Sequence, residues 1–209
     1  MQGYTTTNIS NSIATLLITA LNTRGFAVYS LQSDSLIVPG HVQGEYAAQA
    51  LAQQLDAAVI AFQQTPGYRG ILTLTDKDPA ESLYPMRPTT DGTVAGPGGI
   101  TVPLLALDVG PVEQGGLWEL GSKLRERERT LMLYGFARNN DEAVWLTDVL
   151  TELFDVSTLV DVVDHDMETL APIGTIEITR STPGRQVVHR AGDVTAYEVM
   201  LAATVWYLV

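Results

Sequence analysis

Residues 195–209 constrain the fold more than any other stretch, because they are rich in β-branched and aromatic side chains and carry no charge after Glu198. An apolar strand of this kind cannot stand at an open sheet edge, where unpaired N–H and C=O groups would pair with any strand that arrives. It is therefore central in its own sheet or completed by another copy of the chain. Either way, a sheet organises the molecule.

The other strands this sheet needs are legible in the second half. Residues 102–109 form one candidate. Residues 124–137 form a longer one, in which Leu131 and Leu133 alternate with Met132, Tyr134 and Phe136. Residues 159–163 and 174–181 read as strands, with Pro183-Gly184 as a turn after them. Two short strands at 26–31 and 35–38 and a β-prone run at 70–75 complete the set. Helices are marked by apolar residues at 3.6-residue spacing. Ile9, Ile13, Leu16, Leu17, Ala20 and Leu21 predict a helix over 10–23, capped by Ser10 or Asn11 and closed by Gly25. Ala47, Leu51, Leu55, Ala58, Val59 and Phe62 predict another over 45–64, stopped by Pro66-Gly67. Asp141 and Glu142 suit a helix N-terminus, and Leu146, Val149, Leu150, Leu153 and Phe154 supply the apolar face of a helix over 141–155.

Between these parts, residues 76–101 are dominated by proline and glycine, including Pro85, Pro88, Pro97, Gly92, Gly96, Gly98 and Gly99. A loop of that length is uncommon inside a compact domain and predicts a projecting, flexible arm. The expected fold class is thus α+β: a mixed, mostly antiparallel sheet packed by two or three helices, with a long Gly/Pro-rich loop, in one domain spanning 1–209.

Composition narrows the function classes. The formal charge of −12, from 24 acidic and 12 basic residues, repels phosphate backbones and anionic lipid, so sequence-specific nucleic-acid reading is not expected. With no cysteine there are no disulfides, thiolate metal sites or cysteine nucleophiles. No segment approaches the roughly 20 apolar residues of a membrane span, and the run 13–21 lacks the basic flank of a signal peptide, so a soluble protein is expected.

The segment with the most chemical potential is 161–168, where Asp161, Asp164, His165, Asp166 and Glu168 crowd together as metal sites and acid/base pairs require. On a strand, however, Asp164 and Asp166 share one face and His165 takes the other. A solvated acidic strand end explains the same residues. His41 and His189 stand apart from any partner pattern. Gly96-Pro97-Gly98-Gly99 fits neither GxxxxGK[ST] nor GxGxxG, and GxSxG and HExxH are absent. No catalytic residue, metal ligand or cofactor is assigned, and a non-enzymatic role is expected.

The outstanding charge feature is Lys123-Leu124-Arg125-Glu126-Arg127-Glu128-Arg129, four of the 12 basic residues within seven positions. Extended, it places Arg125, Arg127 and Arg129 on one face and Glu126 with Glu128 on the other. It reads as a strand end with both faces solvated, or as a subunit interface in which the Arg row meets acidic residues of the next copy and fixes register. Trp206 and Tyr207, on the uncharged closing strand, are the apolar candidates for the same contact.

Leu120-Gly121-Ser122-Lys123-Leu124-Arg125-Glu126-Arg127, the strand 130–137, the helix opening at Asn140-Asp141-Glu142-Ala143 and the closing Val205-Trp206-Tyr207 together resemble the tail-completion and tail-terminator proteins of long-tailed bacteriophages. More loosely, they resemble the neck proteins that join head to tail. The likeness covers roughly 102–209 plus the first helix. Residues 26–75 exceed what small members of that family carry there and read as an insertion. The resemblance implies a structural virion protein, assembled in the host cytoplasm, that forms a ring of commonly six copies. Such a ring caps the tail tube, meets the head connector and lets DNA pass through its lumen without sequence-specific binding. Another neck or head-completion adaptor, or a baseplate component, shares most of these features. An alternative of a different class is a metal-dependent or acid/base hydrolase, which requires Asp161, Asp164, His165 and Asp166 to converge and be partly buried.

Overall fold

The structure, a computed structural model, describes residues 4–30, 35–37, 44–45, 70–75, 87–88, 94–95, 103–117, 125–137, 139–164, 172–191 and 194–209. The predicted helix over 45–64, apart from Glu45, which pairs in a short strand, and most of the predicted arm over 76–101 lie outside these residues.

Helix α1 spans Thr6–Thr23. It begins a turn earlier than the apolar spacing suggested, because Thr5 and not Ser10 or Asn11 is the cap: the Thr5 Oγ1 accepts the Asn8 N–H at 3.1 Å. Gly25, with φ of 93°, ends it as predicted, in a left-handed conformation that strains any residue with a Cβ. Helix α2 spans Asn140–Leu153, and Asn139 caps it by accepting the Glu142 N–H at 2.9 Å.

Among the described residues, eleven strands follow one another as β1 (Phe26–Ser30), β2 (Ser35–Ile37), β3 (Gly44–Glu45), β4 (Gly70–Thr75), β5 (Arg87–Pro88), β6 (Val94–Ala95), β7 (Leu104–Leu117), β8 (Arg125–Ala137), β9 (Thr158–Val163), β10 (Pro172–Ala191) and β11 (Val194–Leu208). Nine of them form one sheet in the order β3-β2-β1-β4-β7-β8-β11-β10-β9, and β5 pairs with β6 separately. The β1–β4 and β4–β7 pairs are parallel and the others antiparallel, so the α+β class with a mixed, mostly antiparallel sheet holds. The segment that read as an insertion contributes strands to this same sheet.

The closing strand β11 is central, hydrogen-bonded to β8 on one side and β10 on the other. Val199, Leu201, Ala203 and Val205 are buried on its helix-facing side. The two described helices cover one sheet face: Arg129 of β8 bonds Thr6 of α1, and Gly135 of the same strand and parity faces Leu146 of α2. The core joins Ile9, Ile13, Leu17 and Leu21 of α1 with Leu146, Val149 and Leu150 of α2 over Leu105, Leu107, Leu131, Leu133, Ile176 and Ile178. Beside it, Arg24 pairs with Glu152 at 3.1 Å, linking the end of α1 to α2.

Two strands run past residues that resemble turns. Strand β10 continues through Pro183-Gly184, which form an irregularity in the pairing with β11 between Thr182 and Arg185. A proline has no N–H to lose at such a bulge. A Cβ on Gly184 would lie 2.9 Å from Thr147 Cγ2, so the bulge also lets α2 approach. Strand β7 likewise passes Gly110-Pro111, with its register against β8 shifting between Val109 and Val112.

Candidate functional site

The end of the sheet where β8 begins carries the charged row. Cross-strand pairing sets Arg129 between Val112 and Val205, Arg127 between Gln114 and Tyr207, and Arg125 opposite Leu117. Backbone bonds between Arg125 and Val209, at 2.9 and 3.0 Å, close the β8–β11 ladder there. The alternation read from the sequence is present: the arginines share the helix-facing side, while Glu126 and Glu128 take the other. Exposure falls along the row, from exposed Arg125 through half-buried Arg127 to buried Arg129.

Arg129, expected at a subunit interface, is instead an internal clamp with 6% of its surface exposed. Its Nε donates to the Tyr207 hydroxyl at 3.1 Å, and its Nη1 donates to Thr6 Oγ1 at 2.9 Å and to the Gly110 carbonyl at 3.0 Å. Tyr207, also expected at the interface, is buried at 2% exposure and stacks on Tyr4 with ring centroids 4.7 Å apart. The physical reason for both corrections is the extra N-terminal turn of α1 and Tyr4 before it, which cover this part of the sheet. The clamp uses neutral acceptors: among the described residues no carboxylate pairs with Arg129. Hydrogen bonds to a buried cation offset part of its desolvation cost. Trp206, on the opposite side of β11, stays half-buried.

On that opposite side Glu128 faces Glu113 of β7 directly, and both are exposed. Like charges opposite one another in a sheet are mildly destabilising. Glu113 was not singled out by sequence, because only the register of β7 past its bulge brings it there. The hairpin end thus has a basic side (Arg125, Arg127) and an acidic side (Glu113, Glu126, Glu128).

At the other end of β8 lies a second feature. Phe26 and Trp145 stack with centroids 4.6 Å apart, and with Asp141 and Glu142 of the first turn of α2 they line a shallow cavity of about 280 Å³. The sequence showed the two acids as helix-dipole partners, but nothing local paired them with Phe26, more than a hundred residues away.

Of the acidic residues at 161–168, Asp161 and Asp164 are described. Asp161 is exposed on edge strand β9 and its Oδ1 accepts the Thr175 hydroxyl at 3.0 Å. Asp164 is half-buried just past that strand, while His165, Asp166, Glu168 and His41 lie outside the described residues. Among the described residues no group of three or more His, Asp or Glu is placed to hold a metal ion. No described helix is long and apolar enough to cross a membrane.

Comparison of the sequence with protein-family models and with curated proteins gives no match.

Proposed function

We propose that this chain is a structural protein of a tailed-phage particle, a tail terminator whose copies form a ring that caps the tail tube and meets the head connector. The observation that carries the reading is the two-sided charged end of β7 and β8, basic on one side and acidic on the other. The basic side of one copy can meet the acidic side of the next, and head-to-tail contacts of that kind close into rings when the rotation permits. The order of elements supports the same reading: a first helix, long antiparallel strands, a helix with an acidic start, and a closing strand bearing Val205-Trp206-Tyr207 at the centre of the sheet. An overall charge of −12 suits a lumen through which DNA slides without sticking.

The test is assembly. Mass photometry and negative-stain imaging of the purified chain, alone and with polymerising tail-tube protein, should show rings, and tube length should become limited when the chain is added. A chain that stays monomeric in both settings and leaves tube growth unaltered would refute the reading.

A further inference from the structure

One edge of the nine-stranded sheet is stepped, and we propose that it pairs with the same edge of a second copy. Strand β9 covers β10 only from Pro172 to Ile178, so among the described residues no strand lies on the outer side of β10 from Thr179 to Ala191. No described strand lies on the outer side of β9 either. Each therefore presents a row of backbone N–H and C=O groups that a further strand satisfies. The side chains fit such a contact. The three most exposed large apolar residues among those described, Val156 at 76%, Leu159 at 69% and Val188 at 48%, all lie on or next to these two strands.

Charge names the occupant. Between residues 139 and 179 the chain has no Lys or Arg, and Asp155 and Asp161 mark the β9 half of the edge. Between residues 178 and 192 it has no Asp or Glu, and Arg180, Arg185 and Arg190 belong to the β10 half. Arg180 already pairs with Asp155 at 3.1 Å across the step, so exposed Arg185 is the cation the β10 half offers. The fitting partner is acidic where this edge is basic, basic where it is acidic, and stepped in the opposite sense. A second copy turned about a two-fold axis perpendicular to the sheet meets all three conditions, which makes the contact isologous. The opposite local charges also offset, at the contact, the repulsion of two chains each carrying −12.

That rotation sets β9 of each copy against the open stretch of the other's β10. The six residues of β9 span about 20 Å, and Arg185–Ala191, beyond the bulge, offers as much. Strand β9 is antiparallel to its own β10 and runs parallel to the one it joins. Leu159 and Asp161 face away from the helices, because Val160 and Val162 are buried in the core. Arg185 faces away too, since it pairs with Met200, between buried Val199 and Leu201. Asp161 of one copy and Arg185 of the other thus share a side. The contact uses neither β7 nor β8, so it goes beyond the ring reading and does not depend on it.

Size-exclusion chromatography with light scattering, over a wide concentration range, should show a species of twice the 22.6 kDa chain mass. Leu159→Lys lies opposite Glu177 of its own chain at an exposed position, so circular dichroism and thermal melting should find the fold intact. It sets a cation against the basic half and should weaken the pair about tenfold or more. Asp161→Arg and Arg185→Asp should each weaken pairing. Mixing these two variants, or placing both changes in one chain, should restore it, because every arginine then meets a carboxylate. The chain has no cysteine, so Leu159→Cys and Val187→Cys each place one thiol, and a short bismaleimide should join them only when the two variants are mixed. A native chain that shows no pair at any concentration overturns the proposal. So does a pair that Leu159→Lys leaves unaltered, or one that lacks the 159–187 link. Rings seen alongside any of these leave the ring reading intact, whereas pairs without rings support this contact and defeat the ring reading alone.

Discussion

Replacing Tyr207 by Phe isolates one bond of the Arg129 clamp. The ring keeps its stack on Tyr4 and its burial, and only the hydroxyl that accepts the Arg129 Nε–H at 3.1 Å is lost. A hydrogen bond to a charged group contributes about 1.5–3 kcal/mol, and the donor left behind stays buried, so a destabilisation in that range is expected. For a chain of this size, about 2–4 °C of melting temperature is lost per kcal/mol, which puts the shift at roughly 3–12 °C. Urea unfolding followed by circular dichroism measures it. The slope should be unchanged, and several protein concentrations separate monomer stability from assembly. Combining Tyr207→Phe with Arg129→Met in a double-mutant cycle should return a coupling of about 1–3 kcal/mol, since each change removes the same bond. If Tyr207→Phe costs less than about 0.5 kcal/mol, below the range for such bonds, the hydroxyl is not an essential partner and the clamp is misjudged. If Arg129→Met abolishes rings while leaving monomer stability intact, the residue belongs to the interface after all.

Gly184→Ala should destabilise the monomer by about 1–3 kcal/mol, because the new methyl meets Thr147 Cγ2 at 2.9 Å on a rigid β-branched side chain. Adding Thr147→Ser removes that methyl, keeps a hydroxyl for the bond to the Ala143 carbonyl and should recover most of the loss in the same urea titration. Asn139→Ala should cost about 1 kcal/mol through loss of the α2 cap, with amide exchange accelerating at the Glu142 N–H rather than across the helix.

Local pattern made much of the fold legible, and its failures share a cause. The uncharged stretch near Val205 had to be central or externally completed, and the structure makes it central because β8 and β10 flank it. Alternation assigned the sides of Arg125 to Arg129 correctly. Depth was not legible, since whether an arginine on the helix side is covered depends on how far α1 extends, and the Thr5 cap sits in a run of threonines without an apolar signal. One local sign was available: Arg129 lies two residues before Leu131, on the same side as the first core leucine. Pro183-Gly184 misled for another reason, because the dipeptide that favours a turn also suits a bulge in a continuous strand. The parallel pairing of β1 with β4 and the meeting of Phe26 with Trp145 are long-range outcomes that no window contains.

The internal role of Arg129 changes what assembly can rest on. With one arginine of the row committed to its own fold, Arg125 and Arg127 remain, and exposed ion pairs contribute only about 0–1 kcal/mol each. A single copy-to-copy contact of this kind is therefore weak, and the mutual repulsion of two chains each carrying −12 weakens it further. A closed ring escapes that limit, because each copy is then held by two contacts and the last one forms within an assembly already linked. Short open oligomers should thus be sparse beside complete rings.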